Sequence, residues 1–325
     1  CDVYCKLDYL QRTGSFKARG MAMAVTMAKA LGVKRIALPT AGNAGGAAAA
    51  YAARAGLECF VFMPEDTPIV NRLEAALFGA KAYLVNGLIH ECGALVNAGR
   101  EHMGWFDLST LKEPYRLEGK KTMGLELAEQ FDWDLPEVIF YPTGGGTGLI
   151  GMWKAFRELG QLGWLAQRRL AGGIAPRARY PRLFSCQSSG CAPIAQAFDR
   201  GERFAEPAVN PHTIAAGLRV PKAVGDFMIL DAVRESGGRA MAADESTLID
   251  WMHKACALEG VSLCPESAAC LACAKTAVER GWIDPAERTV IFNTGAVQKY
   301  VEAMQAGTDL PRLDKNNVDW NEHAR

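Results

Sequence analysis

The sequence predicts an α/β protein built on parallel sheets with helices on both faces. Three observations lead there. Strand-like and helix-like segments alternate in two successive series. At 325 residues the chain is long enough for two such units, each with its own core. Loops rich in glycine or hydroxyls follow directly on strand-like runs, where open α/β sheets bind ligands.

The elements read as follows. Val3–Asp8 is strand-like and leads through Thr13-Gly14-Ser15-Phe16-Lys17-Ala18-Arg19-Gly20 into a helical run from Met21 to Leu31. Strands are predicted at Arg35–Pro39, Glu58–Met63, Ala82–Val85 and Trp105–Phe106, with helices at Ala44–Ala55, Ile69–Phe78 and His90–Glu101 between them. In the second series, the helix Lys120–Phe131 precedes the strand Glu137–Tyr141, the loop Pro142–Gly148 and the helix Leu149–Glu158. Arg182–Cys186 and Thr289–Phe292 are strand-like, and Ala192–Asp199, Thr247–Glu259 and Glu266–Arg280 are helical. Trp164–Tyr180 reads as an exposed connection, and the polar tail after Thr308 as a surface wrap. The start, inside a strand-like run, fits either a short N-terminus or a segment lying outside this sequence, and no ligand-sensing domain is expected after Arg325.

Composition narrows the function classes. Lys plus Arg and Asp plus Glu balance at 36 each, so no global field favours nucleic acid or an anionic membrane. No apolar run is long enough for a membrane span, and the start carries no secretory signal. Of ten cysteines, Cys270 and Cys273 have CxxC spacing, but within an Ala-rich helical run with no second pair. Buried free thiols in the cytoplasm, with no metal and no disulfide, are the expectation. His90, His102, His212, His253 and His323 are scattered, Asp107 and Asp132 lack an evident carboxylate partner, and the Trp and Met residues read as core.

Chemistry concentrates in four places. Lys17, between a glycine-flanked turn and a helix, is either a surface lysine or a Schiff-base lysine reaching a bound aldehyde cofactor. Gly144-Gly145-Gly146-Thr147-Gly148 joins a strand to a helix, and four glycines in five positions exceed what a turn needs. Exposed N–H groups and a helix N-terminus make that loop a phosphate cradle. Thr40-Ala41-Gly42-Asn43 also opens a helix and suits a carboxylate, while the Asn43 amide can bond a phenolic oxygen or cap the helix. Asn293-Thr294-Gly295-Ala296 places a hydroxyl at a strand end, where it can meet a ring nitrogen.

In this order, these residues resemble the fold type II pyridoxal-phosphate enzymes: threonine synthases, threonine and serine dehydratases, and the cysteine synthase group. The resemblance runs through nearly the whole chain. It implies that Phe16 and Lys17 belong to the cofactor site, with Lys17 as the Schiff-base and proton-shuttling lysine. It also implies that Asn43 bonds the cofactor's O3′, that Gly144–Gly148 holds its phosphate, and that Thr294 faces its ring nitrogen. A hydroxyl there would leave that nitrogen largely unprotonated. Thr40, Ala41, Gly42, Asn43 and Arg116 are then the substrate-binding residues.

Within the superfamily the chain looks most like threonine synthase, through Glu113–Thr122, Pro265–Ala269 and Phe292–Tyr300. That implies conversion of O-phospho-L-homoserine and water to L-threonine and phosphate. Ala18, Thr110-Leu111-Lys112-Glu113 and the all-glycine loop depart from the usual threonine synthase pattern. Arg116, with Lys112 or Lys120, is left to meet the substrate phosphate. A threonine or serine dehydratase and a β-replacement enzyme, such as a cysteine or cysteate synthase, are the alternatives. The implied architecture is tryptophan synthase β-like, with two open twisted sheets. Residues 21–113 form a smaller inserted domain, and 1–20 with 114–325 a larger cofactor-binding one. A homodimer and closure of the smaller domain on substrate are also implied.

Overall fold

Apolar runs become strands at the centre of each sheet, and helical-period segments pack over them. The structure, a computed structural model, describes residues 2–165, 169–170, 173–174, 179–308, 310, 312–313 and 315–316. In chain order come β1 (Val3–Leu7), α1 (Lys17–Ala30), β2 (Arg35–Pro39), α2 (Ala44–Ala55), β3 (Glu58–Pro64) and α3 (Ile69–Leu77). Next are β4 (Lys81–Val85), α4 (Ile89–Met103), β5 (Phe106–Asp107), α5 (Tyr115–Gln130), β6 (Val138–Pro142) and α6 (Thr147–Gln161). Then follow β7 (Arg169–Leu170), β8 (Gly173–Ile174), β9 (Arg182–Ser188), α7 (Pro193–Asp199), α8 (Asp226–Glu235) and β10 (Arg239–Ala243). The last are α9 (Leu248–Glu259), α10 (Pro265–Glu279), β11 (Thr289–Asn293) and α11 (Val301–Gln305).

The strands form a five-stranded sheet in the order β1-β11-β6-β9-β10 and a four-stranded sheet in the order β4-β3-β2-β5. Every neighbouring pair within these two sheets is parallel. Parallel strands need covering on both faces, and the central β6 and β11 are buried along their whole length. Edge strand β1 instead exposes Val3, Tyr4 and Cys5.

Ile139, Tyr141, Leu149, Phe156, Leu183 and Phe292 anchor the core of the five-stranded sheet. The four-stranded sheet is packed mostly by alanines, with Ala47, Ala48, Ala49 and Ala52 of α2 all buried. Small residues let α2 approach closely: a Cβ on Gly45 would stand 3.0 Å from Val61 Cγ1, and one on Gly46 would strike the Glu74 carboxylate. Helix α1 serves both sheets, since Met21, Ala24, Val25 and Ala28 join the alanine core while its N-terminus points at the five-stranded sheet's loops.

The structure departs from the sequence expectation at several elements. Helix α1 begins at Lys17 rather than Met21, and α5 at Tyr115 rather than Lys120. Helix α8 and strand β10 were not expected at all. Arg-Ala-Met-Ala-Ala has no β-branched residue, and it is a strand because β9 offers it a free edge. Within Trp164–Tyr180, β7 and β8 form a short antiparallel ladder, and Trp164 is exposed rather than core. Most of the tail after Thr308, with His323, lies outside the described residues. No described helix is long and apolar enough to cross a membrane.

Candidate active site

Because both sheets are parallel, their strand ends gather the loops on one side of each, and a cavity of about 460 Å³ lies between them. Phe16, Lys17, Arg116, Gly144–Gly148 and Thr294 line it together with Thr40, Ala41, Gly42 and Asn43. Every cofactor- and substrate-site residue nominated from the sequence except Lys120 therefore reaches one cavity.

Lys17 is the first residue of α1, and its turn is fixed from both ends of the chain. Gly14, at φ 63°, makes the left-handed bend, and its carbonyl accepts the Ala296 N–H at 2.9 Å. Phe16 N–H donates to Thr294 O at 3.0 Å, and Ser15 bridges Gly295. Beneath the turn, Lys120 Nζ donates to Phe16 O at 2.5 Å and lies 4.0 Å from the centre of the Phe16 ring. The Lys17 amine lies 4.6 Å from the same ring centre. Burial, and then the Arg116 guanidinium, lower the Lys17 pKa to about 8, while Glu266 pulls it the other way.

The glycine loop runs from the end of β6 into α6. Gly146 takes φ 72°, and a Cβ on Gly144 or Gly148 would lie 2.3 Å from Gly217 O or 1.8 Å from the Tyr141 hydroxyl. These contacts press the loop against its neighbours on one side. Gly145 faces the other way, with nothing nearer its would-be Cβ than Thr110 Cγ2 at 3.7 Å. The first-turn N–H groups of α6 have no intrahelical acceptor and are available to an anion.

Across the cavity, Thr40 Oγ1 accepts the Gly42 N–H at 3.1 Å and shapes the loop into α2. Asn43 stands at the N-cap position, yet its side chain makes no capping bond. Its Nδ2 donates to the Tyr300 hydroxyl at 2.9 Å, and its buried Oδ1 has no partner among the described residues. Thr294 N–H donates to Ser267 Oγ at 3.2 Å, and Thr294 Oγ1 is 3.9 Å from Cys264 Sγ.

Arg116 is 5% exposed, with Nη1 donating to Leu108 O at 2.6 Å and the backbone N–H to Glu113 Oε2 at 3.0 Å. Burial lowers its pKa and raises that of Glu113. Lys112 also lines the cavity. Lys120 does not: it is 1% exposed beneath the Phe16 turn, and desolvation followed by the Lys17 charge lowers its pKa well below the ordinary value. Sequence reasoning missed Glu266 and Tyr300, which line the same cavity, and the segment Ala216–Val224 that covers it. Pro265-Glu266-Ser267 at a helix start was the available signal for the first.

These residues fit pyridoxal 5′-phosphate. The cavity has a buried amine of lowered pKa, free first-turn amides for a phosphate, and an orphaned Asn43 Oδ1 at its wall. The comparisons agree. The profile of the family described as pyridoxal-phosphate dependent enzyme matches residues 1–295. The threonine synthase of Methanocaldococcus jannaschii is 32% identical over 311 residues, 95% of this chain and 74% of that protein. Among solved structures, O-ureido-L-serine synthase aligns with TM-score 0.77 and 21% identity, covering 99% of this chain and 92% of that one. A threonine deaminase from T.th. aligns with TM-score 0.72 and 21% identity, covering 95% and 89%. The chain belongs to the pyridoxal-phosphate dependent enzymes of fold type II, and it is a lyase that uses pyridoxal 5′-phosphate.

Proposed function

We propose that this chain is a threonine synthase, converting O-phospho-L-homoserine and water to L-threonine and phosphate. The observation that carries the reading is Arg116. Arg116 is 5% exposed at a cavity wall that Lys112 and Thr110 also line, with the carboxylates of Glu113 and Asp107 facing it, and this cationic, hydroxyl-bearing wall suits an added anion. A substrate phosphate is such an anion, and the named relative acts in the same direction.

When bound, pyridoxal 5′-phosphate supplies an electron sink for the carbon that bears the amino group. Gly144–Gly148, with the Thr147 hydroxyl among them, would hold its phosphate, and Phe16, Asn43 and Thr294 would hold its ring, Asn43 at O3′ and Thr294 at the ring nitrogen. Thr40, Ala41, Gly42 and Asn43 bind the substrate carboxylate. Lys17 Nζ would be the group that holds the cofactor by its aldehyde, and as a free amine it would take and return protons at that nitrogen. With a pKa of about 8, the amine gives up its proton nearer neutrality than an ordinary lysine does.

We divide the chain into a smaller inserted domain, residues 21–113, and a larger one formed by 1–20 and 114–325. Closure of the first on the substrate carboxylate would exclude water. The enzyme is proposed to be a cytoplasmic homodimer, so sedimentation should give twice 35.1 kDa.

The all-glycine loop favours one second reading, a threonine or serine dehydratase, because a threonine synthase usually carries Asn there. The test gives protein loaded with pyridoxal 5′-phosphate O-phosphohomoserine and L-threonine separately, following inorganic phosphate and 2-oxo acid. Phosphate release with threonine accumulating supports the synthase. Oxo acid from threonine without phosphate release makes it a dehydratase. Silence on both points to β-replacement.

A further inference from the structure

Lys120 is buried away from both solvent and the cavity, and it forms no ion pair among the described residues. A slot between three helices admits it. Its own helix, α5, packs against α1 and α6. A Cβ on Gly20 of α1 would lie 3.0 Å from Lys120 Cε, and one on Gly151 of α6 would lie 2.7 Å from Lys120 Cβ. Two neighbouring helices thus lack a side chain where the lysine stem passes. Burying an amine in this way is costly unless the nitrogen meets a partner at the far end.

That partner is the Phe16 carbonyl. Lys120 Nζ donates to Phe16 O at 2.5 Å, and the Arg19 N–H donates to the same oxygen at 3.2 Å. Phe16 is the N-cap of α1 and has no side-chain cap to offer. Its own N–H donates to Thr294 O at 3.0 Å, so Phe16 is gripped at both N–H and C=O. Lys17 is the next residue, and the Phe16 ring lies within 4.6 Å of its Nζ and 4.0 Å of Lys120 Nζ. The charged and titratable groups facing Lys120 are Lys17, Arg116, Asp8 and Arg19, and Asp8 is already paired with Arg19 at 2.7 Å. A lysine nitrogen keeps N–H groups to donate whether protonated or not, so the hold on Phe16 O does not depend on its charge.

We propose that Lys120 is a positioning residue for Lys17: by holding Phe16 O it fixes the first turn of α1, and with it the direction from which the Lys17 amine meets the cofactor's aldehyde. The inference rests on the reading of Lys17 as the residue that holds the cofactor. Lys120 does not line the cavity, and it acts through one peptide group. The Phe16 ring adds to the hold, since a cation or an N–H over an aromatic face is attracted to it. A loosened turn would let the amine approach from many directions, few of them productive.

The experiment compares the wild type with K120M, which keeps the stem and removes the donor, and with K120Q, which keeps an N–H donor without the charge. Attachment of pyridoxal 5′-phosphate at neutral pH is followed by absorbance, then trapped with borohydride, and the labelled peptide is identified by mass. Pyridoxamine 5′-phosphate, which offers the same phosphate and ring but no aldehyde, is titrated in parallel. Attachment should slow about 10-fold or more in K120M and recover in K120Q to within about 3-fold of the wild type. Affinity for pyridoxamine 5′-phosphate should stay within about 2-fold in all three, because the phosphate cradle is untouched. Attachment at the wild-type rate in K120M, no recovery in K120Q, or an equal loss of both ligands overturns the inference and leaves the Lys17 assignment standing. Failure to label Lys17 in the wild type overturns both. Should K120M not fold, K120Q decides: attachment within about 3-fold of the wild type sustains the inference, and a larger loss overturns it.

Discussion

The two sheets fill their cores with different material. Around the five-stranded sheet, Phe140, Tyr141, Phe156, Phe184 and Phe292 are among the largest fully buried side chains. Around the four-stranded sheet the buried set is dominated by Ala24, Ala28, Ala44, Ala47, Ala48 and Ala52. Each missing methylene forgoes about 0.8 kcal/mol of burial. The first sheet is thereby the stiffer base, and it carries the amine, the glycine loop and Thr294. Thr40 and Asn43 stand on the lighter one. Polar bonds cross the seam: Lys299 to Glu74 at 2.6 Å, Tyr300 to Asn43 at 2.9 Å, and Arg219 to Asp66 at 2.8 Å. Such a seam can shift without exposing a large apolar face.

Lys17→Ala is the sharpest way to separate chemistry from scaffold. Turnover should fall by about 10³-fold or more, because no other group takes over its proton transfers. The melting temperature should hold or rise, since a costly buried amine is removed. A large drop in melting temperature would break the idea that this residue serves function at the expense of stability.

Phe184→Ala, in the heavier core, should cost about 3–5 kcal/mol by denaturant titration. Ala47→Gly, in the lighter one, should cost about 1 kcal/mol. Equal costs would dissolve the contrast between the two cores.

Glu74→Ala should lose about 1–3 kcal/mol by leaving the Lys299 ammonium with Thr13 O alone, at 3.1 Å. Amide exchange should then quicken in α2 and α3 before β6 or β11. Uniform quickening would mean that the two sheets open together.

The smallest effect is in pH. Attachment of pyridoxal 5′-phosphate to Lys17, followed by absorbance, should quicken about 10-fold per pH unit below pH 8 and level off above it. The sign follows from the lowered pKa: the amine binds its proton more weakly than in water, so it is free at lower pH. A rate still climbing at pH 10 would mean an ordinary, solvated lysine.

What the sequence disclosed divides along physical lines. Strand β2 and helix α2 fall on the expected residues, because Pro39, the alanine run and Gly56 mark them locally. The loops were legible too, since glycine density has a backbone cause visible in one dimension. Arg116, Lys120 and Glu266 were harder. Each is polar, and only tertiary packing decides whether a polar residue on a helix faces water or a cavity. The sequence offers Lys120 to a substrate phosphate, yet its amine is taken by Phe16 O. Strand β10 hid because alanines carry no strand signal, and its pairing with β9 spans residues far apart in the chain.

The register of β11 carries a consequence for how this protein is made. Among the described residues strand β1 pairs with β11 alone, and β11 lies between it and β6. On a ribosome, the first strand must wait until Thr289–Asn293 has emerged before it can join its sheet. The Lys17 turn, tied to Thr294 and Gly295, waits with it. Nascent chains should therefore keep an unpaired edge at each side of that gap until β11 emerges, an interval in which edges invite misassociation. Cofactor capture should follow the pairing of β1 with β11.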